Sequence, residues 1–160
     1  MVARVKAKET RTTDGKGGLA GMRKRVLALG LGLVHVGVPA GAKESETGES
    51  LAVIAATHEF GSPARGIPER SFLRASVRVN RKRYVKLAEN GAKKVAAGSM
   101  DARKVYNLIG AGAAGDVQEY MREGNFAPLK PATIARKKSS KPLIDTGQLR
   151  QSITFIVKEN

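Results

Sequence analysis

The chain has 160 residues, a length that a single domain with one hydrophobic core accommodates. It contains no cysteine, which excludes disulfide scaffolds, thiolate metal sites and cysteine nucleophiles. Its 29 Lys and Arg against 14 Asp and Glu give a net charge of +15, a field that attracts polyanions or an acidic protein surface.

The N-terminal residues are charged, rich in glycine and without apolar periodicity. We therefore predict a mobile basic arm over residues 1–20 and a single domain over residues 21–160. The basic start Met22–Arg25 and the apolar run Val26–Val38 imitate a secretory signal. However, the run lies inside the chain, is broken by glycines, contains His35 and is too short to span a membrane as a helix. We interpret it as a buried strand and expect no membrane association.

Within this run, Leu31–Val38 shows the alternation of a strand. The polar segment Gly41–Ser50 predicts a loop, and the Ala-rich segment Leu51–Phe60 predicts a short helix. Residues 61–68 contain two prolines, each of which biases the residue before it away from helical geometry. An extended linker is therefore expected there.

A long helix is predicted from Ser71 to about Ala97. Its apolar positions recur at intervals of three, four and seven residues: Leu73, Val77, Tyr84, Ala88, Gly91 and Val95. Its candidate partner-binding residues are basic and fall largely elsewhere: Arg74, Arg78, Arg81, Lys82 and Lys86. Residues 65–104 hold twelve Lys or Arg against three acids, a net +9, so the charge is concentrated where this helix lies. These basic residues are expected to contact DNA phosphates or an acidic protein.

A second helix is predicted from about Asp101 to Arg122, ended by Gly124. Several of its residues are small and would let a neighbouring backbone approach, from the first long helix or from another subunit: Ala111, Ala113, Ala114 and Gly115. The segment Gly110–Gly115 also matches the dinucleotide-binding glycine pattern, which requires a preceding strand and an acid about 20 residues later. Neither is present, so the sequence predicts no cofactor.

The pair His58-Glu59 is similar to the start of a zinc metalloprotease helix, in which a second histidine follows four residues later. That position is Ser62, and the chain's other histidine is His35. No Ser-His-Asp order or pair of carboxylates stands out. We therefore assign no metal site and no catalytic residue.

Near the C-terminus, Pro131 to about Lys138 predicts a short helix opened by proline, and Ser152–Val157 alternates as a terminal strand. Between them, Asp145 is spaced to cap a helical turn, with Gln148 returning a hydrogen bond as in a capping box. This turn would direct the terminal strand into a sheet.

The predicted elements form an α+β fold, in which a small antiparallel sheet uses the strands near residues 33–38 and 152–157 and is packed by the two long helices. With four Phe, three Tyr and no Trp, the core has few large side chains. Eighteen glycines add backbone entropy that folding must overcome. Burial of surface between subunits offsets the small core and the entropy cost of the glycines, so we expect an oligomer.

Two segments resemble those of a known family: residues 58–74, HEFGSPARGIPERSFLR, and residues 141–153, KPLIDTGQLRQSI. They are similar to the tail-completion, or virion morphogenesis, proteins of long-tailed bacteriophages. The matching positions are Glu59, Phe60, Gly61, Ile67, Pro68, Arg70, Phe72, Arg74, Pro142, Leu143, Asp145, Thr146, Gly147, Leu149, Ser152 and Ile153. Ser71 stands where this family often has proline.

The resemblance implies a structural protein without enzymatic activity at the neck of the virion, where it completes or terminates the tail and joins it to the head. It implies a ring of identical subunits around the DNA channel, and six subunits are usual in tail terminators. The implied partners are head-tail connector and tail-tube proteins, with nonspecific contact to genomic DNA, and assembly takes place in the host cytoplasm. Terminator and connector roles both stay open.

A basic protein that binds nucleic acid without sequence preference is the alternative from another class. The run Arg78–Arg83 supplies cations for phosphates, and aromatic residues suited to base stacking are not interleaved with it. Subunit count separates the two hypotheses, because a ring that forms without nucleic acid favours assembly and a monomer that binds polyanions favours the alternative.

Overall fold

The computed structural model describes residues 18–136, 141–143 and 147–159, and this part of the chain has an α+β fold. Its elements in chain order are α1 (Leu19–Ala28), β1 (Gly32–Gly37), α2 (Leu51–Phe60), α3 (Leu73–Ala96), α4 (Ala102–Glu123), α5 (Pro131–Arg136), α6 (Gln148–Gln151) and β2 (Thr154–Glu159). The predicted fold class, a small antiparallel sheet packed by two long helices, is confirmed. None of the helices in these residues has the length and apolar character needed to cross a membrane.

The two strands pair antiparallel, with Gly32 opposite Glu159 and Gly37 opposite Thr154. Side chains on one face are half-buried and those on the other are exposed, as in a sheet with one covered face. Both predicted strands are confirmed, although β2 begins at Thr154 rather than at Ser152. Because β1 precedes and β2 follows helices α2 to α6, the sheet joins the early and late parts of the chain.

Helix α4 is the central element, because it packs against α3 and against both strands. Glycines make this packing close. A Cβ at Gly91 of α3 would lie 2.5 Å from the Val105 side chain of α4, and one at Gly110 of α4 would lie 2.2 Å from the Phe155 ring of β2. Since real Cβ atoms do not approach so closely, only glycine lets these elements meet at their present separation.

The small residues predicted on α4 divide between its two sides. Ala113 and Ala114 are buried, whereas Ala111 and Gly115 are exposed. The close approach that small residues permit is therefore made within the chain at Ala113 and Ala114.

Polar contacts fix α3 against α4. The Asp116 carboxylate of α4 accepts hydrogen bonds from the Arg83 guanidinium and, at 2.8 Å, from the Tyr84 hydroxyl. Burial, together with the hydrogen bond to Asp116, raises the pKa of Tyr84 well above its ordinary value. The hydroxyl therefore stays a hydrogen-bond donor and holds the two helices in register.

The turn between α1 and β1 is fixed by a single tyrosine. The Tyr106 hydroxyl donates to the Ala28 carbonyl at 2.8 Å and accepts from the Gly32 N–H at 3.1 Å. Arg25 of α1 donates to two carbonyls in the last turn of α3, at 3.0 and 2.8 Å. A cation at this position is favourable, because the last carbonyls of a helix lack partners within the helix. Helix α1 is thus joined to both α3 and α4.

The hydrophobic core lies where α2, α4, α6 and the residues before α3 and β2 meet. Its buried members are Leu51, Phe72, Ala114, Val117, Met121, Leu143, Leu149 and Ile153. Phe72 is the one aromatic residue of this buried set, and the Tyr120 and Phe126 rings pack edge to face, 5.8 Å apart, at its margin. The buried interior among the described residues is thus built mainly from aliphatic side chains.

The apolar run Val26–Val38 is not one buried strand, as the sequence suggested. Its first three residues end α1, a turn follows, and the strand begins only at Gly32. Leu19–Ala28 lacks strand alternation and contains several good helix formers, so helical propensity decides its conformation. Helix α1 includes the last two residues of the predicted arm, and the first 17 residues lie outside the described part of the chain.

Residues 61–68 do not form the predicted extended linker. Ser62 and Ile67 exchange backbone hydrogen bonds of 2.8 and 3.0 Å around a 3₁₀ turn at Pro63–Arg65. Gly66 follows this turn with φ of +60°, a conformation in which glycine is not strained. Pro63 therefore begins a compact turn here rather than an extended segment, because Gly66 allows the chain to reverse.

Burial on α3 follows the predicted apolar stripe only in part. Gly91 and Val95 are buried as predicted, but Val77 and Ala88 are exposed, and Ser76 is fully buried. Different elements cover the two halves of the helix, since α1 reaches only its C-terminal end. The buried side therefore changes along α3, and a stripe of constant direction cannot describe it.

Candidate functional site

The first family-like motif is built around the carboxylate of Glu59, which is 4% exposed. This carboxylate accepts hydrogen bonds from the N–H groups of Phe72 (2.8 Å), Leu73 (2.8 Å) and Arg74 (3.0 Å). The Ser71 hydroxyl donates a further hydrogen bond of 2.8 Å. The first N–H groups of a helix have no partners inside the helix and carry partial positive charge, so an anion is stabilised there. Glu59, near the end of α2, thus caps the start of α3.

The electrostatics of this cap keep Glu59 ionised. Burial alone raises the pKa of Glu59, but the hydrogen bonds from the Leu73 N–H and from Arg74 outweigh it, and the pKa lies below its ordinary value. Five groups of the chain itself donate to this carboxylate. Its acceptor capacity is therefore used in holding the backbone.

Arg74 was a candidate for partner binding, and the structure places its guanidinium between two acids. Its Nε lies 2.8 Å from Glu59 and its Nη2 lies 2.8 Å from Glu69. The guanidinium carbon also lies 4.6 Å from the centroid of the Phe60 ring, within the range of a cation–π interaction. Arg74 is therefore engaged inside the chain, and it keeps the exposed Phe60 ring in place.

Arg70 of the same motif is 5% exposed. It donates to the carbonyls of Ala127 at 2.8 Å and Pro128 at 3.0 Å, in the segment between α4 and α5. Phe72, two residues later, is 1% exposed in the core. The motif thus joins α2, the start of α3 and the segment after α4.

The glycine and proline of the motif shape the turn before α3. Gly61 has φ of +73°, and a Cβ there would lie 2.8 Å from the Glu69 backbone nitrogen. Any other residue would be strained and would also collide with the returning chain. Pro68 is exposed and directly follows the bridge formed by Ser62 and Ile67. These positions are explained by backbone geometry.

The second motif contributes core residues and a turn. Leu143 is 4% exposed and Leu149 is 8% exposed, and both belong to the hydrophobic core. Pro142 is half-buried beside them. Gly147 precedes α6 with φ of +82°, a conformation that favours glycine. This motif therefore also has a structural explanation wherever it is described.

Gln148 of this motif has a role that the sequence did not predict. Its Oε1 accepts from the Ser45 N–H at 2.8 Å, and its Nε2 donates to the Glu44 carboxylate at 3.2 Å. It thereby joins α6 to the loop between β1 and α2, a contact over about 100 residues of sequence that no local pattern indicates. The predicted cap Asp145, with Thr146, lies outside the described residues.

The other four basic candidates are exposed on α3: Arg78, Arg81, Lys82 and Lys86. No ion pair within the described part of the chain engages any of them. Arg78, Lys82 and Lys86 follow one another at intervals of four residues, so they form a single row on the helix. Unlike Arg74, these side chains are available to a partner.

A second accessible surface was missed by the sequence analysis. The outer sheet face, defined as the side of the sheet away from α4, carries exposed residues from both strands: Leu33, His35, Thr154, Ile156 and Lys158. Leu33 is 55% exposed and Ile156 is 52% exposed. The alternation predicted two faces but gave no information on which face the helices cover. A different feature of the sequence indicates the exposed apolar surface, because apolar residues occur on both faces of both strands.

The structure also places the glycine pattern of the sequence. Gly110–Gly115 lies inside α4, so its glycines do not make the strand-to-helix turn that binds a pyrophosphate. Among residues 18–136, 141–143 and 147–159, no group of three His, Asp or Glu side chains is placed to hold a metal ion.

Comparison with known proteins gives no match: no protein family, curated protein sequence or solved structure corresponds to this chain. The resemblance described above is therefore one of two short motifs. Their geometry shows residues that support the fold, and accessible surfaces also occur on α3 and on the sheet.

Proposed function

We propose that this chain is a structural protein of a bacteriophage neck, which completes or terminates the tail and joins it to the head as a ring of identical subunits. The observation that carries the proposal is the outer sheet face. A sheet of two strands is marginal by itself and is usually extended or covered. Here one face lies on α4, and the other exposes Leu33 and Ile156 by more than half. Such a subunit gains stability when another protein covers this face.

The motif residues support a structural role rather than a catalytic one. The Glu59 carboxylate is held by five donors of the chain, and Arg70 is held by two carbonyls. Groups so engaged position the backbone and are not free to transfer protons or bind substrate. The resemblance to tail-completion proteins therefore concerns residues that maintain a scaffold.

The distribution of charge supports a place beside DNA or beside an acidic neighbour. Helix α3 alone contains eight Lys or Arg and one Glu, a net 8 − 1 = +7 of the chain's +15. In a ring around a DNA channel, cations of this kind contact phosphates without reading sequence. The same charge would also attract acidic connector or tail-tube proteins.

The second candidate function is that of a basic, nonspecific nucleic-acid-binding protein, favoured by the exposed row on α3. It requires no self-association, whereas the neck proposal requires a ring. The two therefore differ in a quantity that is directly measurable, the number of copies in one assembly.

The test is cryo-electron microscopy of the particle that contains this chain, with its copy number counted at the neck. We expect a closed ring, with six subunits as in tail terminators, in contact with connector or tail-tube proteins. Particles produced without this chain should accumulate as separate filled heads and tails. One or two copies per particle, or a free monomer that binds DNA and is missing from particles, would refute the proposal and favour the nucleic-acid-binding function.

A further inference from the structure

The exposed side of α3 is both basic and apolar. We call this surface the α3 outer face. It comprises the row of three cations and the two valines that flank it: Arg78, Val79, Lys82, Val85 and Lys86. Val79 is 69% exposed and Val85 is 48% exposed. Each valine lies three residues from Lys82, so the apolar and charged groups share one surface.

This composition favours a protein partner over DNA. Phosphates are bound by cations and polar groups, and valine side chains gain little beside them. Exposed valines beside exposed cations fit a partner that brings carboxylates together with an apolar group, because both kinds of surface are then covered. The α3 outer face is therefore suited to an acidic protein segment with an apolar neighbour.

A segment of this chemistry exists in the chain itself, in the loop between β1 and α2. The Glu44 carboxylate accepts from the N–H groups of Glu46 at 2.9 Å and Thr47 at 2.7 Å, and the Glu44 N–H donates to the Glu49 carbonyl at 2.8 Å. Glu44 thus organises the loop from within. Gln148 of α6 holds it from outside through Ser45 and Glu44. The loop has a defined shape before any partner binds.

The remaining acids of this loop face solvent. Glu46 and Glu49 are exposed, and no ion pair within the described residues includes either of them. Val53, in the first turn of the helix that follows, is 61% exposed. The loop therefore offers two free carboxylates and an apolar side chain close to them in sequence, the complement of the α3 outer face.

We propose that the α3 outer face of one subunit binds the Glu46 and Glu49 loop of a second copy, in a head-to-tail contact. This inference rests on the proposed function in requiring self-association, and it names the two surfaces that meet. Two different surfaces in contact make a heterologous interface, which produces a closed ring when its rotation closes. Pairing acids with cations also offsets the repulsion between subunits that each carry +15.

Charge reversal tests this contact directly. The helix variant carries Arg78→Glu and Lys82→Glu, and the loop variant carries Glu46→Lys and Glu49→Lys. Each variant alone brings like charges together at every contact, so each should be monomeric in sedimentation and native mass spectrometry under conditions where the natural chain assembles. Mixed in equal amounts, the two variants should assemble again with alternating subunits. At every contact of the mixture, a loop then meets a helix of opposite charge.

The matched control carries Arg103→Glu and Lys104→Glu at the exposed start of α4, which is the same change of charge outside the α3 outer face. It should assemble like the natural chain, and circular dichroism melts should show all three variants folded. Assembly of either reversal variant alone, no assembly of the mixture, or a natural chain that stays monomeric would each overturn the inference. The inference is also overturned if the helix variant still assembles and loses only its salt-dependent binding to a DNA duplex of arbitrary sequence.

These outcomes are distinct from failure of the proposed function. A ring at the neck that forms equally well with the helix variant would leave the proposed function standing and end this inference. A copy number of one or two would end both.

Discussion

The first turn of α3 and its middle turns both carry exposed basic residues, but Arg74 and the row formed by Arg78, Lys82 and Lys86 are used in different ways. At the first turn, Arg74 is paired with Glu59 and Glu69. In the middle, Arg78 and Lys82 are exposed and have no ion pair among the described residues. Glu59 is buried, so its carboxylate requires partners because it has lost hydration, whereas an exposed cation does not. Glu59, Arg70 and Arg74 of the family-like motif therefore support the fold, whereas the exposed row on α3 lies outside the motif.

The largest effect on stability is expected from Glu59→Ala, which removes the carboxylate at the first turn of α3. It leaves three N–H groups at the start of α3 and the Arg74 Nε without their acceptor, so it should lower the free energy of unfolding by about 2 to 4 kcal/mol. The control is Glu69→Ala, which removes the other carboxylate that contacts Arg74, at an exposed position. That change should cost at most about 1 kcal/mol. Chemical denaturation measures the free energy of unfolding of both variants. Similar losses in the two would contradict the conclusion that Glu59 caps the start of α3.

Much of the fold could be predicted, because it follows from local patterns. The bounds of α2 are those predicted, and both strands and both long helices occupy the predicted segments within a few residues. The turn at residues 61–68 could not be predicted, since its path depends on Gly61 and Gly66 in left-handed conformations rather than on proline. Helix α1 was missed because its apolar residues run directly into those of β1.

The sequence could predict which positions belong to the candidate site but not which contacts their side chains make. The motif located Glu59 and Arg70, yet their partners are backbone groups brought together by the tertiary fold. Arg74 and Arg78 lie four residues apart with the same side chain, and only the positions of Glu59 and Glu69 distinguish the engaged residue from the free one. Net charge and helical period carry no such information.

The buried side of α3 gives a second prediction. Gly91→Ala places a methyl group where a Cβ would lie 2.5 Å from Val105, so overpacking should cost about 1 to 3 kcal/mol despite the better helix propensity of alanine. Gly115→Ala on α4 is the control, because no atom lies within 4 Å of its Cβ position. It should stabilise the protein by about 0.5 to 1 kcal/mol. Thermal melts should therefore shift in opposite directions, and equal shifts would show that α3 and α4 are not packed as described.

Lowering the pH should weaken the first turn of α3 before it affects the exposed row. The pKa of Glu59 in the folded chain lies below its ordinary value of 4.5. Its contribution to stability is therefore complete above that value and is lost as the pH falls through the folded pKa. The difference in unfolding free energy between the natural chain and Glu59→Gln, measured by denaturation, should be constant near neutrality and shrink below about pH 4.5. A difference that stays constant down to strongly acid pH would show that folding does not lower the pKa of Glu59.

The smallest effect on stability is expected from the exposed basic residues in the middle of α3, whose replacement should instead affect assembly. Replacing Arg78, Arg81 and Lys82 together with Gln should change the free energy of unfolding by no more than about 0.5 kcal/mol, because exposed side chains without partners contribute little to the fold. The yield of DNA-filled, tailed particles should nevertheless fall, since these cations are the part of α3 free to bind a neighbour or DNA. The control replaces Lys24, Arg103 and Lys104 with Gln, which removes the same charge from exposed positions on α1 and α4. If the control reduces the yield equally, the reduction is caused by the lower net charge. If the α3 variant gives a normal yield, these residues form only a solvated helix surface. The contrast between the two parts of α3 then has no functional meaning.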